Sequence, residues 1–155
     1  MAQKEAAERF WDHALALYGR DAAREAFLRL QDRDGADVPM LLWCLWCASE
    51  GRGISRETMT AAVAFSSAWR AEAVAPLRTL RKALKSGIKN IDRALSEEAR
   101  TRIASTEQAL ERLQMDHLAG LPTGTAQSNG LTLIALYADV AGLSLDAADG
   151  VVIAA

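Results

Sequence analysis

Val38-Pro39-Met40-Leu41-Leu42-Trp43-Cys44-Leu45-Trp46-Cys47-Ala48 has no polar side chain apart from the two thiols and the indole N–H groups. Asp37 stands in front of it as a helix cap, and Pro39 falls in the first turn, where a missing N–H costs nothing. A helix without a polar face has to be surrounded by other elements. The pattern therefore predicts a central helix over about 38–50 with the rest of the chain packed around it. Met40 to Ala48 is nine residues, well short of the roughly 20 needed to cross a bilayer, so the run reads as core and not as a membrane span.

Upstream, Phe10, Ala14 and Leu17 share a stripe, with Trp11 and Tyr18 beside it, which predicts a helix from about Lys4 to Tyr18. Asp21 reads as the cap of a second helix carrying Ala23, Ala26, Phe27 and Leu30 and stopping near Gly35. Downstream, Gly51-Arg52-Gly53 breaks the chain, and Ser55 caps a fourth helix with Met59, Ala62, Val63, Ser66, Trp69 and Ala73 on one side. Pro76 interrupts it, as a kink or as the start of a new helix. Leu77, Leu80, Leu84, Ile88, Ile91 and Leu95 then recur three and four apart, with Gly87 and Asn90 weakening the middle of the run. Ser96-Glu97-Glu98 reads as the start of a helix that buries Ile103, Leu110 and Leu113 and ends at Gly120. Together these segments predict an all-α, compact single-domain bundle of five to seven helices.

The composition changes after Leu118, beyond which there is no Lys or Arg. The organisation expected is a helical domain over 1–120, followed over 121–155 by a polar loop, one further helix and a stretch from Leu143 with no clear period that is expected to be partly disordered. The chain of 155 residues has a formal charge of −2 and ordinary globular composition, which excludes a strongly basic nucleic-acid protein. Two cysteines three apart make no disulfide framework, and the start of the chain shows no apolar signal region, so the cytoplasm is the expected compartment.

Cys44-Leu45-Trp46-Cys47 is formally a Cys-x-x-Cys motif. A redox pair needs lowered thiol pKa values, whereas a mid-helix position between leucines and tryptophans raises them. Zinc would need further ligands, and His13 and His117 lack finger spacing, so no metal and no cofactor are expected. Both histidines follow an aspartate, but neighbours on a helix point about 100° apart and form no ready dyad. No catalytic residue stands out, which favours a non-enzymatic protein; an enzyme using His13 is the minority alternative. Ala48 to Met59 resembles the centre of a helix-turn-helix, but its turn is one residue too long and its second helix offers little to grip phosphate. Nucleic acid is therefore an unfavoured partner. A second alternative is a pocket for an apolar small molecule built from Trp11, His13, Trp43, Trp46 and Trp69.

The one charge asymmetry lies between Arg70 and Arg93. Arg78, Arg81, Lys82, Lys85 and Lys89 repeat three and four apart as a basic stripe beside the leucine run. This stripe is the expected binding face, either merely solvated or docking an acidic protein partner.

Four blocks in order carry a resemblance. They are Phe10-Trp11-x-x-Ala14-x-x-x-Tyr18, then Leu30-Gln31-Asp32-x-x-Gly35-x-Asp37-Val38, then Trp46, then Pro76-Leu77-Arg78-x-x-Arg81-x-x-Leu84-Lys85. Over about Phe10 to Leu118 the chain resembles a family of short, functionally uncharacterised, all-helical bacterial proteins. The resemblance implies a self-contained bacterial domain and brings no activity, cofactor or catalytic residue.

Overall fold

The computed structural model describes the whole chain, residues 1–155. Its helices are α1 (Ala2–Tyr18), α2 (Asp21–Asp34), α3 (Val38–Ser49), α4 (Arg56–Trp69), α5 (Ala75–Ser86), α6 (Arg93–Ala119), α7 (Gly130–Ala141) and α8 (Ala147–Ala154). A π-helical turn, Arg70–Val74, joins α4 to α5 without a break, so the chain forms seven helical rods. The all-α bundle read from the sequence is the fold found. Two short strands, β1 (Arg52–Gly53) and β2 (Gly124–Thr125), form one antiparallel ladder. They approach closely: a Cβ on Gly53 would lie 2.7 Å from that of Ala126. No helix is long and apolar enough to cross a membrane.

α3 lies at the centre, as its composition requires. Val38 through Cys47 are all buried, and α1, α2, α4, α6 and α7 pack around them. Phe10 stacks on Trp46 with ring centroids 5.1 Å apart, so α1 is keyed to α3 by two aromatic rings. Gly35 ends α2 in the left-handed region, at φ 75°. The Ala36 N–H there reaches back to the Leu30 carbonyl, the paired closure that a glycine permits after a helix. Ser55 caps α4 by accepting from the Thr58 N–H at 3.1 Å, as its position predicts.

The segment after Leu118 completes this core. Leu133, Ile134 and Tyr137 of α7 and Ile153 of α8 belong to the same buried cluster as Phe10, Trp43 and Met59. The stretch from Leu143, which shows no period in sequence, includes α8. Besides the buried Ile153, an ion-pair clasp holds it: Asp149 accepts from Arg29 Nη2 at 2.7 Å and from Arg33 Nη2 at 3.0 Å, both on α2. Asp146 caps α8 through the Asp149 N–H, and its own N–H donates to Asp34.

In the middle of the chain the structure chooses between the two readings of Pro76 and corrects that of the leucine run. Pro76 lies in the first turn of α5, and the disturbance falls before it, where the Ala75 N–H reaches back five residues to the Arg70 carbonyl. The run Leu77–Leu95 is not one seam. α5 ends at Ser86, Gly87 and Asn90 both adopt positive φ, and α6 is capped by Asp92, ahead of Ser96.

Candidate functional site

The basic stripe lies on a hairpin formed by α5 and the N-terminal half of α6. α5 packs against α6 and the π turn and buries none of its residues. Leu80, Ile88, Ile91 and Leu95 are 45 %, 42 %, 53 % and 66 % exposed, so most of the apolar run faces solvent at the end of this arm. The stripe itself divides in two. Arg81 Nε donates to Glu107 Oε1 at 2.6 Å, and Arg78 reaches Glu107 at 3.7 Å and Glu111 at 3.4 Å, so these two arginines fasten α5 to α6. Lys82 and Lys85 are exposed on α5 and Lys89 on the loop beyond it, and none of the three forms an ion pair. A solvent-open cleft of about 700 Å³ lies between the root of the arm and the ends of α1 and α2.

A second constellation lies at the base of the arm. Asp37, the expected cap of α3, makes no cap hydrogen bond. Its carboxylate accepts instead from Arg70 Nη1 at 2.8 Å and from Gln114 Nε2 at 2.6 Å, and its N–H donates to the Tyr137 hydroxyl at 2.9 Å. Four elements, α3, the π turn, α6 and α7, thus converge on one buried carboxylate. Burial pushes the Asp37 carboxyl above the usual range, and the Arg70 guanidinium draws it back. Burial also raises the Tyr137 hydroxyl. Beside the cluster lies a cavity of about 390 Å³ whose wall includes Ser66, Arg70 and Tyr137.

Residues 9–118 match the family described as a protein of unknown function (DUF2390). The chain belongs to this family. The matched span covers α3 and the whole arm and holds Asp37, Ser66, Arg70 and Gln114, while Tyr137 lies beyond it. Neither the curated proteins nor the solved structures give a match to the chain.

The other residues singled out in sequence do not come together. Trp43 and Trp46 are core side chains. Trp69 donates to the Leu110 carbonyl at 3.0 Å and stacks near Phe65. Trp11 lines a separate recess of about 170 Å³ with Tyr18, Pro39 and Met115, and Arg112 covers its ring at 4.3 Å. The geometry therefore corrects the idea of a common tryptophan-lined pocket: Trp43 and Trp46 are used up in core packing, Trp69 is tied to α6, and only Trp11 borders a recess. His13 is half-buried near Glu50; burial lowers its pKa, and the Glu50 carboxylate opposes this. His117 stacks on Phe65 with centroids 3.7 Å apart.

Cys44 and Cys47 are buried free thiols, and no third His, Cys, Asp or Glu gathers with them. Cys44 donates weakly to the Leu133 carbonyl at 3.6 Å. Burial pushes the Cys47 thiol up to about 12 and the Cys44 thiol well above its ordinary value, the reverse of what a reactive pair requires. At the helix-turn-helix-like segment, Arg56 is ion-paired with Asp139 of α7, and β1 ties the turn to β2.

In the sequence Asp37 reads as a helix cap, Ser66 as one position on the fourth helix and Arg70 as the start of the basic segment, and no local pattern joins the three. The partners of Asp37 lie 33, 77 and 100 residues away. The one local hint is Pro76, which closely follows the turn that carries Arg70.

Proposed function

We propose that this protein is a non-catalytic accessory factor of the bacterial cytoplasm that docks a protein partner through the α5–α6 arm. The observation that supports this reading is an arm whose helix α5 has no fully buried residue and whose exposed Leu80, Ile88, Ile91 and Leu95 share one segment with three lysines that form no ion pair. Returning each half-exposed Leu or Ile to an apolar groove is worth about 1 kcal/mol, half the value of full burial. Lys82, Lys85 and Lys89 add attraction to an acidic rim, which speeds and orients encounter more than it tightens the complex. The partner that fits is therefore a protein with an apolar groove bordered by Asp and Glu. Nucleic acid fits less well, because the exposed side chains between the lysines include no aromatic ring for bases to stack on. Two buried free thiols suit a reducing compartment.

The test is charge reversal at the unpaired positions. Lys82→Glu, Lys85→Glu and Lys89→Glu together should change stability by only about 0.5 kcal/mol per site, because all three are exposed. The same triple change should abolish partner capture from the native host, and capture by the unaltered protein should weaken steeply with salt. Recovery of the same partners by the charge-reversed protein would overturn the proposal.

A further inference from the structure

The cavity at the base of the arm has the makings of a ligand site that the docking face does not use. Ser66, on α4, is 2 % exposed, lines this cavity, and its Oγ has no hydrogen-bond partner in the protein. A buried hydroxyl without a partner is costly, and native proteins retain few of them. Arg70 lines the same cavity one turn further along. Only its Nη1 is engaged, by Asp37, which leaves the Nε and Nη2 donors without an acceptor in the protein. Val63, Ala71 and Leu143 supply apolar wall. At about 390 Å³ the cavity sits near the small end of the ligand-pocket range. The π turn begins at Arg70, and such turns recur where a helix must present a side chain for function.

We propose that this cavity binds the carboxylate of a small organic acid, with the free edge of the Arg70 guanidinium and the Ser66 hydroxyl as donors and the apolar wall around the acid's carbon chain. A planar guanidinium edge matches a carboxylate in bidentate fashion. An amine ligand would find only Asp37, whose two oxygens already accept from Arg70 and Gln114. A phosphate dianion would bring two charges to a single cation that Asp37 already shares. A monoanion suits both constraints, and burial pushes the Asp37 carboxyl up, which eases repulsion between the two carboxyl groups.

The experiment is an amide-resolved NMR titration of the full-length protein with butyrate and benzoate, and with butyramide and butylamine as the neutral and cationic counterparts. Saturable shifts are expected at Ser66, Ser67, Arg70 and Ala71 and at Tyr137, with the acids binding at least about tenfold tighter than the amide, the gain of one charge-assisted contact. Ser66→Ala, which removes only the orphan hydroxyl, should weaken binding about fivefold and leave the thermal midpoint unchanged or higher. Arg70→Lys keeps the charge beside Asp37 but loses the fork, and should weaken binding about tenfold. If Arg70→Lys fails to fold, Ser66→Ala and the acid-to-amide ratio decide the matter. Absence of saturable shifts with either acid, equal binding of acid and amide, unweakened binding by Ser66→Ala, or shifts confined to the arm lysines would overturn the assignment.

Discussion

Arg70→Ala removes the only cation within 4.0 Å of the Asp37 carboxylate, and the consequence can be worked out from the geometry. Removing one partner of a buried ion pair typically costs 3–5 kcal/mol, because the other charge stays buried and unmet. Here the Arg70 side chain keeps 27 % of its surface in water while Asp37 keeps 9 %, so the low end applies, about 3 kcal/mol at pH 8. The loss must also depend on pH. Asp37 already has a folded pKa above its ordinary value, and without Arg70 it moves further up. A group raised on folding contributes stability that is fully present below its unfolded pKa and is lost as pH rises through its folded pKa. The deficit of the variant is therefore small near pH 4 and grows above it. Glu111, raised by burial and lowered by Arg70 among others, changes with the same sign. Urea denaturation of both proteins at pH 5 and pH 8 measures the effect, and at least about 1 kcal/mol of the deficit should disappear at the lower pH. A loss that is identical at the two pH values, or below about 1 kcal/mol at pH 8, would refute the reasoning.

Trp46→Ala should cost about 4 kcal/mol by chemical denaturation, since the ring is buried and stacked on Phe10; a loss under about 1 kcal/mol would remove α3 from the centre. Cys44 and Cys47 should resist a thiol reagent in the native protein and react together on unfolding, and fast labelling of either native thiol would contradict the buried placement. Helix α8 should detach first in acid. Asp34 is held near a pKa of about 2 by Arg33, and Asp149 is lowered by Arg29 and Arg33, so their contribution is present above the ordinary carboxylate value of 3.8 and disappears as pH falls toward about 2. Hydrogen exchange of the α8 amides reports it, and protection unchanged down to pH 2, or unaffected by Asp149→Asn at neutral pH, would count against the clasp.

Local rules were enough where a segment's environment is implied by its own composition. α3 has no polar face and could only be central, and Ser55 and Gly35 sit at helix ends that their chemistry dictates. The arm is not legible in this way, because a three-and-four spacing of leucines is the same whether the stripe is buried or left facing water. Gly87 and Asn90 marked the break, but nothing local says that Leu80 and Ile91 lack a covering helix. α8 has only eight residues, too few to display an apolar period, and part of what holds it is a salt bridge to a residue 120 positions away in sequence. Asp37 obeys a local rule in position and breaks it in bonding, since tertiary partners outcompete the helix N-terminus for its carboxylate. The cavity wall draws on α3, α4, the π turn and α7, so no single window of sequence contains it.

The docking role of the arm is tested most directly by site-specific photo-crosslinking in the native host. A photoreactive residue is placed at Lys85 or Ile91 on the arm, or at Val151, which is equally open but lies on α8. The account predicts one discrete protein adduct from positions 85 and 91, none from 151, and loss of the adduct when Lys82, Lys85 and Lys89 are reversed to Glu behind a probe at 91. No adduct from either arm position, or the same adduct from all three, would contradict it.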